Sequence, residues 1–130
     1  MILLDTHTWI WWVTGNERLS ENQKKIILEN ESDEIGVSII TCWEVAKLVE
    51  YNRLTLSCPV NEWIQKGLNY PGMSLLNLTP DIVVESTRLP GNFHRDPADQ
   101  LIVATARILK CPLLTSDRKI LNYADVESIA

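Results

Sequence analysis

The sequence predicts an α/β fold, a single domain with a parallel central sheet of about five strands flanked by helices on both faces. Short apolar runs alternate with stretches of helical periodicity along all 130 residues. That alternation implies crossover connections and hence a parallel sheet. The runs "ILL" and "PLL" are continuously apolar, as strands covered on both faces are. Turn signals ("TGN", "YPG" and "PGN") punctuate the alternation.

Taken in order, "ILL" (2–4) is the first strand and stops at Asp5. The three tryptophans of "WIWW" follow on one short helix and cannot all face inward, so at least one is expected near the surface. Helical periodicity runs over 20–30, 39–52, 60–69, 80–88 and 97–110. The remaining strands are "IGVS" (35–38), "LLNL" (75–78), "PLLT" (112–115) and "VESI" (126–129). Asp96 before Pro97 is a natural N-cap with proline at the first helical position, and Asp117 before "RKIL" is another cap.

A hydrophobic content of 45% suits one domain spanning 1–130 with one sizeable core. No apolar run approaches the ~18 residues of a membrane span. The N-terminus lacks a basic leader and a small-residue cleavage site, so the expectation is a cytoplasmic protein. Three cysteines without C-x-x-C spacing argue against a zinc ribbon and against a disulfide framework. They read as small buried hydrophobes. The formal charge of −5 speaks against a general nucleic-acid binder unless several acids gather around divalent cations.

The positions of the acids supply that condition. Sites in open α/β sheets form beyond the carboxyl ends of strands. Asp5 ends the first strand and Asp117 follows the fourth, while Asp96 and Asp99 open the helix that precedes the fourth. Each of Asp5, Asp96 and Asp117 could be a helix cap, and Asp99 could serve the helix dipole. Glu44 cannot be explained that way. It lies inside a helix with Ile40 and Leu48 one turn away on either side, at or beside the apolar face. Such a carboxylate needs a cation or an ion pair, the local alternatives being a salt bridge to Lys47 or a snorkelled side chain at the edge of the stripe. No histidine or cysteine cluster accompanies the acids; His7 and His94 lack helical metal-ligand spacing and read as local hydrogen-bonding residues. Hard oxygen ligands of this kind suit Mg²⁺ or Mn²⁺. Four or five carboxylates holding one or two cations suit phosphodiester hydrolysis. The expected catalytic set is Asp5, Glu44, Asp96, Asp99 and Asp117, with Asp5, Glu44, Asp99 and Asp117 as metal ligands.

Four stretches carry a resemblance. "LLDTHTWIW", "SIITCWEVAKL", "HRDPADQLIVATA" and "LLTSDRKIL" resemble, in order and spacing, the motifs of PIN-domain ribonucleases, the fold of VapC-type toxins of bacterial toxin–antitoxin pairs. The resemblance runs nearly end to end. It implies roles for Asp5 and the Thr6 hydroxyl, for Glu44, for Asp99 as the shared acid and Asp96 as an additional one, and for Asp117 with Thr115 and Ser116. It also implies Mg²⁺ or Mn²⁺ dependence, single-stranded or structured RNA as substrate, a homodimer and a small antitoxin that blocks the site. Arg95, Arg118 and Lys119 are the local candidates for phosphate contacts. Gln100 departs from the pattern, standing where this subgroup often has Arg.

The five tryptophans read first as dimer or antitoxin contacts, then as core, then as base-stacking groups. Two other functions remain to be weighed. A phosphoacceptor receiver domain shares the short α/β chain and carboxyl-edge acids, but it expects paired acids after the first strand and a lysine after the last. A PIN-like binding module without catalysis is the other, and the intact acid set argues against it.

Overall fold

The computed structural model describes residues 1–130. Five strands, β1 (Ile2–Leu4), β2 (Ile35–Ser38), β3 (Met73–Leu76), β4 (Leu113–Leu114) and β5 (Ser128–Ile129), form one sheet in the order β3-β2-β1-β4-β5. Every neighbouring pair is parallel. Seven helices connect and cover them: α1 (Thr6–Thr14), α2 (Glu21–Glu29), α3 (Ile39–Glu50), α4 (Val60–Leu68), α5 (Pro80–Ser86), α6 (Pro97–Leu109) and α7 (Arg118–Leu121). A receiver domain has the doubly wound order 2-1-3-4-5, so the observed order removes that alternative.

The pleat sends alternate strand residues to opposite faces, and both faces are covered. Ile2, Leu4 and Leu114 pack with Trp9, Ile27, Val45 and Trp63 on one side. Leu3 and Leu113 pack with Ile102, Val103, Ala106 and Ile120 on the other. α3 bridges the layers, touching α1 and α4 as well as α6. That bridging brings Glu44 near Asp5, the N-cap of α1, and Asp99 of α6.

The boundaries differ from expectation for local reasons. β3 occupies 73–76 instead of 75–78. It starts directly after Gly72, whose φ of 80° makes the entering turn, and pairs Met73–Leu76 with Ile35–Ser38. Its partner strand stops there because Ser38 caps α3, so Asn77 and Leu78 have no ladder to join. β4 and β5 are each cut to two residues. α1 is apolar nearly all round, and α7 is a single turn, so neither shows the periodicity of an amphipathic helix.

The tryptophans divide between roles. Trp9 and Trp63 are core residues, correcting the preference for interface contacts; their rings meet edge to face at 5.1 Å between centroids. Trp11 and Trp12 are partly exposed and Trp43 is exposed. All three cysteines are free. No helix is long and apolar enough to cross a membrane.

Gly67 of α4 faces the buried indole: a Cβ there would lie 2.7 Å from Trp9 Cζ2. Replacing glycine by alanine inside a helix ordinarily stabilises by ~1 kcal/mol, whereas overpacking a rigid core costs about 1–3 kcal/mol. The Trp9 ring is fully buried and pinned by Trp63, so the second effect should win. Gly67→Ala is expected to lower the thermal midpoint by a few degrees, measured by circular dichroism, even though it favours the helix locally.

Candidate active site

The connections from β1 run outward to β2 and β3 in one direction, while β4 and β5 lie in the other. Such a reversal leaves a crevice at the carboxyl ends of the two central strands. Asp5 stands there at the end of β1, only 8% exposed. Its Oδ1 accepts the Thr6 N–H at 2.8 Å and its Oδ2 accepts the Thr115 hydroxyl at 2.7 Å. Thr115 Oγ1 also accepts the Asp117 N–H at 3.0 Å, which leaves its own proton for Asp5. Gln23 of α2, almost fully buried, secures the same strand end by donating to the carbonyls of Thr115 and Ile129 at 3.1 and 3.0 Å.

Glu44 reaches the crevice from α3, where the Thr6 hydroxyl donates to its Oε1 at 2.6 Å. The alternative pairing with Lys47 does not form, because Lys47 binds Glu50 at 2.8 Å. Asp99 arrives from the first turn of α6, and its N–H donates to the Asp96 cap at 3.0 Å. His94 Nε2 lies 2.9 Å from Asp99 Oδ2, off line for a hydrogen bond, with Phe93 edge-on against the imidazole. Gln100, the departure from the expected pattern, donates to the His94 carbonyl at 3.1 Å and ties that loop to the helix.

Asp5, Glu44 and Asp99 each present a carboxylate oxygen within 4.8 Å of the others. Asp96 and Asp117 line the same cavity outside that trio. Each uses Oδ1 to cap its helix and leaves Oδ2 free of protein donors. No lysine or arginine pairs with any of the five. Burial raises the proton affinity of Asp5 against the pull of its two hydrogen bonds. Burial and the charges of Asp5 and Asp96 likewise raise Glu44. Asp99 is pushed up to about 7 by burial and then by the charges of Asp5, Asp96, Asp117 and Glu44.

The expected substrate-contacting residues separate. Ser116 lines the cavity and is exposed, and Thr6 lines it but is buried against Glu44. Thr115 is fully buried, so it positions Asp5 and cannot reach a substrate. Arg95, Arg118 and Lys119 are exposed and do not line the cavity. The wall contains instead His7, Trp11 and Arg18, none of which the sequence reading places there. For His7 and Trp11 a signal existed: they stand at i, i+4 on the helix that starts at Asp5. Arg18 lies beyond that helix and had none.

A family model described as PIN domain matches residues 2–126. The chain belongs to the PIN-domain family. It is 34% identical over 122 residues to Ribonuclease VapC22 of Mycobacterium tuberculosis, covering 94% of this chain and 91% of that protein. The fold also matches a chain of VapBC2 from Rickettsia felis, bound to a promoter DNA fragment, with a TM-score of 0.74 at 12% identity over 99% and 98% of the two chains. A DNA-bound VapBC chain from Salmonella typhimurium gives 0.72 at 17% identity, covering 98% and 96%. FitAcB from Neisseria gonorrhoeae gives 0.67 at 21%, covering 100% and 97%.

The donor set of this PIN domain fits a hard divalent cation. Three half-buried or buried carboxylates converge without a cationic side chain to neutralise them, and oxygen is the only ligand atom offered. Without a cation, protonation of Asp99 relieves the repulsion. Its folded value of about 7 lies above the ordinary aspartate value of 3.8, so its contribution to stability is fully present below the lower value and is lost as pH rises through the upper one. In EDTA the thermal midpoint should therefore be higher at pH 6 than at pH 8, and Asp99→Asn should remove most of that difference. The Asp96 cap gives a second test in the same melts. Asp96→Asn should keep the stability of α6, because Asn caps as well as Asp, whereas Asp96→Ala should lose ~1 kcal/mol.

Proposed function

We propose that this PIN domain is an endoribonuclease toxin that hydrolyses RNA phosphodiester bonds with Mg²⁺ or Mn²⁺, acts in the cytoplasm as a homodimer, and is neutralised by a small antitoxin protein. The observation that carries the reading is the trio of Asp5, Glu44 and Asp99, gathered at the sheet's switch point with no lysine or arginine paired to it. The relationship to a protein named as a ribonuclease, at 34% identity over nearly the whole chain, supports the reaction. A structural neighbour named as a toxin–antitoxin complex, from Klebsiella pneumoniae, supports the partner. For a second copy, the exposed apolar side chains of Leu75 on edge strand β3, Val83 and Val84 on α5, and Ile108 and Leu109 on α6 offer surface.

Asp5, Glu44 and Asp99 would hold the cation, which when bound supplies Lewis acidity towards water and the phosphoryl oxygens. The chain's own contribution is to fix those oxygens before substrate arrives. Thr115 and the Thr6 amide restrain Asp5, the Thr6 hydroxyl restrains Glu44, and the capped α6 helix start holds the backbone of Asp99. Such preorganisation removes a reorganisation cost from the reaction step. The free Oδ2 atoms of Asp96 and Asp117 at the rim can accept hydrogen bonds from water and orient it towards phosphorus. In hydrolysis that water forms the new P–O bond while the ribose oxygen leaves with a proton.

Expression of the wild-type chain alone should arrest growth. Asp99→Asn and Glu44→Gln should relieve the arrest and reduce cleavage of a fluorogenic RNA by orders of magnitude while the proteins still melt cooperatively. Full activity in folded Asp99→Asn would remove the site's central residue. Mn²⁺ at a hundredfold excess over its Kd should stabilise the wild type by ~2.7 kcal/mol, and the gain should shrink at pH 6 because Asp99 must lose its proton to ligate.

A further inference from the structure

The acidic cavity does not end at the acids. His7, Trp11 and Arg18 line it and also line a second cavity, whose far wall carries Leu48, Arg53 and Leu54. The two adjoin along that shared wall, a groove that passes α1 between the carboxylate trio and the end of α3. His7 and Trp11 stand one helical turn apart with ring centroids 5.9 Å from each other. Arg18 and Arg53 are exposed, and neither is engaged in an ion pair. Arg53 is set by the helix end itself: Asn52 takes a positive φ of 56° and the Arg53 N–H turns back to the Leu48 carbonyl at 2.8 Å.

We infer that this groove is the track for the single-stranded RNA flanking the scissile phosphate, with Arg18 and Arg53 on the backbone and Trp11, beside His7, as the stacking surface for a base. The inference rests on the ribonuclease reading and adds the path of the substrate. The charge order of the groove argues for this occupant. Its acid end repels a phosphate unless a divalent cation intervenes, and its other end attracts one. A basic peptide would be drawn to the acids but repelled by the arginines, and an acidic peptide the reverse. A polyanion accompanied by a metal ion satisfies both ends. A single strand is favoured over a duplex because only unpaired bases can lie against an aromatic ring. Arginine and an aromatic surface interleaved along a groove is the combination that single-strand binding uses.

The test is RNA binding by fluorescence anisotropy, using a labelled single-stranded pool of random sequence and a duplex of matching length. It is run with Mg²⁺ over a range of salt, in the Asp99→Asn background to prevent cleavage. Arg18→Gln and Arg53→Gln should each weaken single-strand binding several-fold. Each should also lower the slope of log K against log salt by ~0.7, the value for one phosphate contact to a single strand. Trp11→Leu should weaken binding about tenfold or more with the slope unchanged, since stacking carries no counterion. Lys25→Gln and Arg88→Gln, exposed and outside both cavities, should change neither, and the duplex should bind more weakly throughout. In otherwise wild-type protein, the Arg18/Arg53 double variant should raise KM for RNA more than it lowers kcat. If the double variant binds and cleaves RNA as the wild type does, the track is elsewhere and the ribonuclease reading stands. The track is likewise overturned if the double variant loses only the capture of a protein partner. If the wild type neither binds nor cleaves RNA, both readings fall.

Discussion

The hydrogen bonds that hold Asp5 are the constraint on which the rest of the site depends. A carboxylate this deeply buried is costly unless its lone pairs are satisfied, and here each oxygen receives a protein donor. One donor comes from the first turn of α1, the other from the end of β4, so the side chain ties the two central strands together at their carboxyl ends. The tie is itself supported. Thr115 can give its proton to Asp5 because the Asp117 amide occupies its acceptor side, and Gln23 holds the Thr115 carbonyl from below. Removal of any member would leave a buried polar atom unpaired, so geometry at Asp5 and stability of the β4 end are the same property.

In this protein a helix-capping acid can also line the cavity. Asp96 and Asp117 each commit Oδ1 to a helix start and keep Oδ2 for the cavity, while Asp99 sits one turn into α6 with its amide on the Asp96 cap. Helix starts at the carboxyl edge of a parallel sheet thus deliver acids to one crevice at little structural cost, since an acid there also favours the helix dipole. The cost arises between the acids. The raised proton affinities of Asp5, Glu44 and Asp99 come first from burial and then from mutual repulsion, which a cation would relieve. In this sense the site is built unstable on its own and complementary to a divalent charge.

A net charge of −5 is compatible with a polyanionic partner because charge is distributed unevenly. Five acids are gathered at the switch point, and the unpaired Arg18 and Arg53 lie along the groove that leaves it. Net charge describes long-range approach; the local order of signs along a cavity decides what can lie in it.

By itself the sequence determined the layer architecture, the approximate places of most elements, and the convergence of Asp5, Asp96, Asp99 and Asp117 on one edge. These follow from short-range rules: apolar runs make strands, proline after aspartate starts a helix, and parallel strands put their ends and the next helix starts on the same side. It also flagged Glu44, since a carboxylate beside an apolar stripe has no local explanation. Only the tertiary structure decided what such residues touch. Lys47 turned to Glu50, leaving Glu44 to Thr6; Thr115, polar and next to an acid, went inside; and Trp9 became core while Trp11 became groove wall. α1 escaped periodicity because it is apolar on nearly every side, and the boundaries of β3 were set by where its partner strand ended. Arg18 reached the site from a loop whose sequence carries no sign of it. Side-chain partners come from strand order and helix packing across long sequence separations, and no window of a few residues contains that information.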